Sequence, residues 1–365
     1  SIWYFIADKY GEEAVANVFY MSKIHRNFSD GILFILGISS ENLISDWKQF
    51  FQSRFINDNR ATMPVDSNNI GKRKLRKGVS CQRLVVNKKG DFVAYTTNNY
   101  SQQKVYVCNT MNRRTKCVLR IGQKIDVLPD YSFPVLAWHS QGDFLSIFYE
   151  FKGQMNWLTY NVRTKEKIKT KLFQIEKILE ANYSASGNKI VLSAVANGKT
   201  DIFVLDTRSR AREQITDDFY DNRAPVFLNN DQLIVFSSNR ENDSMLIHGS
   251  ENLVYKHSTD IFSYNYAKKN NFKYSPQVLF RLTNTPSFNE EKPISTGWNT
   301  IQYLSDQNGI INQWEAKIDS GVAFVDTIVH YRYYTKNRPL TNYNSNILYH
   351  STNGNQVTII FKPSK

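Results

Sequence analysis

The chain reads as mainly β: a β-propeller of four-stranded antiparallel blades, about six of them begun, behind a small N-terminal α-helical segment. Two observations predict this. A strand–turn–strand pattern recurs from about Cys81 onward, its markers spaced 52, 45, 43, 68 and 56 residues apart. The apolar period also changes from 3.6 to 2 after Asn57, the difference between a helix stripe and a pleated strand. An aromatic share of 14% agrees, because aromatic side chains suit strands.

The helical segment comes first. Ile2, Phe5, Ile6, Val15, Val18, Phe19 and Met21 recur at helical spacing, and Gly11 within that pattern predicts a kink or a break. Phe28 to Leu36 ends at Gly37, a suitable residue just past a helix. Ser39 or Ser40 then caps a last helix whose Leu43, Ile44, Trp47, Phe50 and Phe51 form one stripe. Three short helices with so many aromatics make a packing face, not an active site. Residues 1–58 are assigned to this segment, which reads as starting inside a domain. Residues 59–80 carry Pro64, Gly71 and Gly78 without periodicity and are read as a linker.

Residues 81–365 are assigned to the propeller. Leu84–Tyr95, Leu136–Ile147, Ala181–Leu192 and Val226–Phe236 are each a strand, a tight polar turn and an apolar strand. Ile294–Tyr303 and Gly354–Phe361 are weaker copies. Third strands start at Lys104, Asn156, Asp201 and Asn312, each leading to a polar turn and a fourth strand. The two longest intervals imply insertions near Asn242–Ser258 and Ser320–Tyr334. Four strands every 40–50 residues or so is the propeller period. Only four residues follow Phe361, too few for two more strands. The ring is therefore expected to be completed by sequence outside this chain, with the Val357–Phe361 edge left unpaired.

Charge excludes less than it suggests. The net charge is +13, but residues 1–60 hold 6 Lys/Arg against 7 Asp/Glu, so the basicity lies in the linker and the propeller. Its densest run is Lys72, Arg73, Lys74, Arg76 and Lys77. This run is the one candidate interaction site read from the sequence, for a phosphate or membrane surface, against a plain reading as a solvated linker. No recognition helix or nucleic-acid fingerprint accompanies it, so nucleic acid is not an expected partner. No run of about 18 apolar residues is present.

Candidate chemistry is sparse. His25, His139, His248, His257, His330 and His350 are dispersed without ligand spacing, and no cofactor or metal is expected. Asp217, Asp218 and Asp221 offer carboxylates for Ca²⁺, against a structural reading as turns between blades. Cys108 and Cys117 would face each other if Thr110–Thr115 forms the turn, close enough for a bridge; the alternative is two free thiols.

The repeats resemble the TolB-type propeller motif. Ile215-Thr216-Asp217 leads to Pro225 and then to Leu233-Ile-Val-Phe-Ser-Ser-Asn-Arg240, and Leu282-Thr283-Asn284 and Leu340-Thr341-Asn342 are looser copies. The Asp of the usual Pro-Asp-Gly turn is replaced in most repeats. Ser1–Glu13 and Gly37–Trp47 resemble the closing helices of a gluzincin-type peptidase domain, although the His-Glu-x-x-His zinc motif is absent from these residues. No Gly-x-Ser-x-Gly elbow occurs. The two resemblances together imply a large envelope protein of a Gram-negative bacterium, periplasmic and associated with the outer membrane. They imply a non-catalytic scaffold that holds other envelope proteins, such as a subunit of a secretion or motility complex. The alternative is an accessory propeller of a metallopeptidase whose zinc site lies upstream.

Overall fold

A computed structural model describes residues 2–60, 79–124, 130, 132–241, 243, 255–269, 278–325, 329–353 and 357–361, with only the backbone for 54–60, 255–257, 323–325, 329–333 and 361. The chain divides into two compact units, Ser1–Pro64 and Val65–Lys365. Among the described residues, no helix is long and apolar enough to cross a membrane.

The first unit holds four helices: α1 (Ile2–Tyr10), α2 (Glu12–His25), α3 (Phe28–Leu36) and α4 (Ser40–Arg60). Gly11, at φ 91°, makes a full break between α1 and α2, which is why there are four helices and not three. The Asn27 side chain caps α3 by accepting from the Ser29 amide at 3.0 Å, and Gly37 closes it at φ 70°. Ser39 is the cap of α4, its hydroxyl accepting from the Asn42 amide at 3.2 Å. Phe5, Ile6, Val18, Ile32 and Leu43 form the buried core of this unit, ringed by Trp3, Trp47, Phe50 and Phe51. At Gly31 a Cβ would lie 2.3 Å from the Ser22 hydroxyl, so α2 and α3 approach more closely than any side chain there would allow. The helical segment reaches Arg60, and the first strand starts at Val79, so both ends of the expected linker belong to regular elements.

The second unit is built from antiparallel sheets. Blade 1 is β1 (Val79–Val86), β2 (Phe92–Asn99), β3 (Gln102–Asn109) and β4 (Thr115–Ile121). Blade 2 is β5 (Val135–Trp138), β6 (Phe144–Phe151), β7 (Gln154–Asn161) and β8 (Lys167–Lys171), and blade 3 is β9 (Lys177–Tyr183), β10 (Lys189–Ala196), β11 (Lys199–Asp206) and β12 (Arg212–Gln214). Blade 4 is β13 (Asn222–Leu228), β14 (Leu233–Arg240), β15 (Tyr255–Asn265) and β16 (Leu279–Arg281), and blade 5 is β17 (Glu290–Ser295), β18 (Thr300–Ser305), β19 (Asn312–Val325) and β20 (Val329–Pro339). The sixth sheet pairs β21 (Ile347–Thr352) with β22 (Val357–Phe361). Strands follow chain order within every sheet, as hairpin connections require.

Alternation along each strand sends one set of side chains to each neighbouring blade. On β10, Ile190, Leu192 and Ala194 join the core shared with blade 2, while Val191 joins the core shared with blade 4. A slab of Val, Ile, Leu and aromatic side chains thus lies between successive blades.

The recurring Thr has a mechanical role. Thr216, Thr283 and Thr341 accept through their hydroxyls from the amides of Ile202, Ile261 and Gln313, at 2.9, 2.8 and 2.9 Å. The residue before each of those amides is Asp201, Asp260 or Asn312, and its side chain accepts from the backbone of Asp218, Thr285 or Tyr343 in turn. The same latch therefore ties the end of an outer strand to the third strand of its blade in blades 3, 4 and 5.

Three further expectations are corrected. Cys108 pairs with Thr115 and Cys117 with Tyr106, because the turn from Asn109 to Arg114 is tighter than assumed; the thiols are offset along the ladder rather than facing, and they are free, as the second of the two readings had it. The insertion expected near Ser320–Tyr334 is an extension of β19 and β20, paired as far as Val325 and Val329. The ring is not left open at its centre: β21 lies beside both β17 and β1, so the inner strands β1, β5, β9, β13, β17 and β21 touch in sequence around a full circle. Closing an inner ring requires only the first strand of each blade, and the sixth sheet supplies that; among the described residues the sheet has two strands and β22 pairs only with β21, so the expected unpaired edge at Val357–Phe361 stands. Of the other expected insertion, residues 242 and 244–254 lie outside the described ones.

Candidate functional site in the propeller channel

The six inner strands enclose a cavity of about 440 Å³. At one end its rim is made of the turns between first and second strands. These turns are tight because residues there take left-handed backbone: Gly90, Gly142 and Gly187, and the run Asn229, Asn230 and Asp231. Trp298 stands on the corresponding turn of blade 5 and is 56% exposed. Within the cavity, Trp138 donates its indole N–H to the Val85 carbonyl at 3.0 Å, fixing the ring between blades 1 and 2.

Most inner strands carry an irregularity partway along. The pairing slips between Cys81 and Leu84 on β1, between Arg223 and Val226 on β13, and between Glu291 and Ile294 on β17. Such bulges turn the backbone and re-aim a side chain. The residues re-aimed on β1 and β17 include Arg83 and Lys292, both of which line the cavity. The Arg83 guanidinium donates to the carbonyls of Ser132 (3.1 Å) and Leu179 (2.7 Å). The Lys292 ammonium donates to the Leu348 carbonyl at 2.8 Å.

Burial pushes the Lys292 ammonium below the ordinary lysine value; Arg83 adds to that shift, while Glu291 and Glu180 oppose it. Glu180 also lines the cavity, and its Oε2 is buried with no hydrogen-bond partner. His350 holds the backbone at this point: its Nε2–H donates to the Lys292 carbonyl at 2.5 Å, and its Nδ1 accepts from the Gln313 amide at 3.1 Å. A ring with one donor and one acceptor is neutral, and burial pushes its pKa down to about 4.

The residues singled out in the sequence fare differently. Lys72, Arg73, Lys74, Arg76 and Lys77 lie outside the described residues. His139 and His350 both line the cavity, but His139 is a turn residue, its Nδ1 accepting from the Gln141 amide. The acidic turn is structural. Asp218 accepts from the fully buried Arg240 at 2.7 Å and from Asn222 at 2.8 Å, and Asp217 pairs with Lys199. Among the described residues, no group of three His, Cys, Asp or Glu could hold a metal. Sequence reading missed Arg83, Glu180 and Lys292; the only signal available was their place in the first strand of a blade.

Solved structures share this architecture. The putative TolB of Agrobacterium tumefaciens superposes with a TM-score of 0.50 over 78% of this chain and 91% of its own, at 10% identity. The propeller is TolB-like. TolB of Acinetobacter baumannii aligns with a TM-score of 0.48 at 12% identity, over 65% of this chain and 52% of that one, so this chain spans about half its length. The propeller domain of the Trilobed protease of Pyrococcus furiosus aligns with a TM-score of 0.45 at 9% identity, over 76% and 88% of the two chains. No protein-family model matches the chain, and no curated protein sequence does either. In the TolB-like propeller, the Arg240 of the Phe-x-Ser-x-Arg-like segment is the buried cation that anchors the turn of Asp218.

Proposed function

We propose that this chain is a non-catalytic protein-interaction scaffold of the Gram-negative cell envelope, working in the periplasm at the outer membrane within a multi-subunit secretion or motility complex. The observation that carries the reading is the channel mouth. It is a rigid rim of tight turns bearing an exposed Trp298, with a preformed cavity behind it. Concave sites with a projecting aromatic anchor suit recognition, and Trp is among the residues that dominate binding energy at protein contacts. Placement in the envelope rests on the likeness of the repeats to the TolB-type motif. Away from the channel, ionisable side chains such as Asp218, Arg240, Asp260 and Arg281 are committed to holding the blades together.

Affinity purification of the tagged full-length protein from its own cells, with quantitative mass spectrometry, tests this. Trp298→Ala should lower recovery of an envelope partner by at least about tenfold, as expected for loss of a binding hot spot. Undiminished recovery with mouth variants, or turnover of a substrate by the purified protein, would overturn it.

A further inference from the structure

Resting on the reading of the channel as a binding site, we propose that Arg83, Lys292 and Glu180 form a receptor for an α-carboxylate with an N–H donor beside it, the chemistry of a peptide C-terminus or a free amino acid.

The first argument is charge. Among the described residues, Arg83 and Lys292 have no carboxylate in ion-pair contact; they meet the carbonyls of Ser132, Leu179 and Leu348, and Arg83 also meets the Tyr349 side chain. Carbonyls fix the position of a cation without cancelling its charge. Two such cations within electrostatic reach of each other in the channel are costly; Glu180 and Glu291 offset part of that cost without pairing with either, and an anion bound between the cations relieves more of it. Glu180 acts on the same Lys292, yet its buried Oε2 accepts nothing, so the channel holds an unused acceptor beside two cations that lack a carboxylate partner.

The second argument is an internal control. Blade 4 has the same bulge as blade 5, in the same kind of sequence: Ala224 precedes Pro225 as Lys292 precedes Pro293. Both residues take left-handed backbone, φ 49° and 52°, although a residue before proline favours extended backbone. The fold obtains this bulge with alanine in blade 4. A lysine at the equivalent place in blade 5 is therefore not demanded by the backbone, and the cation is there for something else.

The third argument is preorganisation. His350 grips the Lys292 carbonyl, the Leu348 carbonyl holds the Lys292 ammonium, and the Arg83 guanidinium spans the backbone carbonyls of Ser132, just before blade 2, and Leu179 of blade 3. Little side-chain entropy then remains to be lost when a carboxylate arrives. Paired cations bind a carboxylate by charge-assisted hydrogen bonds, and the Glu180 Oε2 takes the neighbouring N–H.

The test uses the full chain and follows the fluorescence of Trp138 and Trp298, both at the cavity. Probes are a mixed free-acid tripeptide library, the same library amidated at its C-termini, and free alanine, each to about 10 mM, which reaches millimolar affinities. Saturable binding of the free-acid library, lost on amidation, supports the proposal with a peptide as source. Saturable binding of free alanine as strong as that of the library supports it with a free amino acid as source. Lys292→Ala, which blade 4 shows the bulge accepts, should weaken binding at least about tenfold, Lys292→Arg should restore most of it, and Glu180→Gln should weaken it less. Binding that survives amidation, binding unchanged in Lys292→Ala, or no saturable signal with any probe overturns the proposal. A partner captured equally by wild type and Lys292→Ala would leave the scaffold reading standing and remove this one, whereas probe binding without any partner would do the reverse.

Discussion

Arg240 shows how a single residue holds this propeller. It is fully buried, donates to Asp218, Asn222 and Ser238, and lies 5.5 to 5.6 Å from the centres of the Tyr220, Phe236 and Phe262 rings. Arg240→Met should destabilise the protein by about 3–5 kcal/mol, the cost of leaving buried partners uncompensated. Adding Asp218→Leu should recover part of that loss, read by denaturant unfolding. A single variant as stable as the wild type would contradict this account. Glu290 makes a second prediction at this scale. Burial pushes its carboxyl up to about 7, while its Oε1 accepts from the Thr285 hydroxyl and its Oε2 has no partner. A raised carboxyl pKa stabilises the fold fully below about 4.5, and that stability is lost as pH rises towards 7. Asp201, pushed up to about 6, acts in the same sense. His350, pushed down to about 4, acts oppositely: its contribution is complete above 6.5 and is lost as pH falls. The opposing slopes overlap between about pH 4.5 and 6.5. Glu290→Gln should make the slope of stability against pH in that window more positive by about 1.4 kcal/mol per unit, one proton's worth. An unchanged slope would mean that Glu290 titrates normally.

At the scale of the element, the Thr latch explains why a short motif recurs where strand lengths do not. In blade 3 the fourth strand is only Arg212–Gln214, and in blade 4 only Leu279–Arg281. Such short strands contribute few ladder bonds, and the adjoining Thr hydroxyl supplies a further backbone tie at the strand end. Thr216 and Thr283 are almost completely buried, so Thr216→Val or Thr283→Val leaves an amide with no acceptor and should cost about 1–3 kcal/mol. Thr341 is only half-buried, and Thr341→Val should cost less. Equal stability of all three variants and the wild type in chemical denaturation would show that the latch is ornamental.

For the whole molecule, closure of the inner ring is the governing fact. Tyr349 of β21 packs against the core between blades 1 and 2, and the Ser351 hydroxyl accepts from the Val86 amide at 3.5 Å, so the last sheet is joined to the first. Blades that share cores on both sides lose support together, and the propeller should unfold in one cooperative transition. Tyr349→Ala should lower the melting temperature of that transition without splitting it, as seen by calorimetry. Stepwise loss of blades in the wild type would show instead that β21 and β1 are neighbours without energetic coupling.

Much of this was written in local pattern. Hairpins at Gly90, Gly142 and Gly187 were legible because a left-handed turn flanked by alternating apolar residues has few other readings. The helical stripe through Trp47 and Phe51 and the break at Gly11 were legible for the same reason, since each depends on neighbours a few residues away; the Thr of each latch stood out only through the motif resemblance, because its hydroxyl reaches an amide 14, 22 or 28 residues away. The channel was not. Arg83, Glu180 and Lys292 are far apart in sequence, and each sits in a strand whose periodicity says only that it alternates. Bulges decide that Arg83 and Lys292 face the cavity, and register slips of this kind leave no periodic trace. Ring closure was equally hidden: two strands at the end of a chain look like an unfinished blade, and only packing in three dimensions shows that one of them completes the circle.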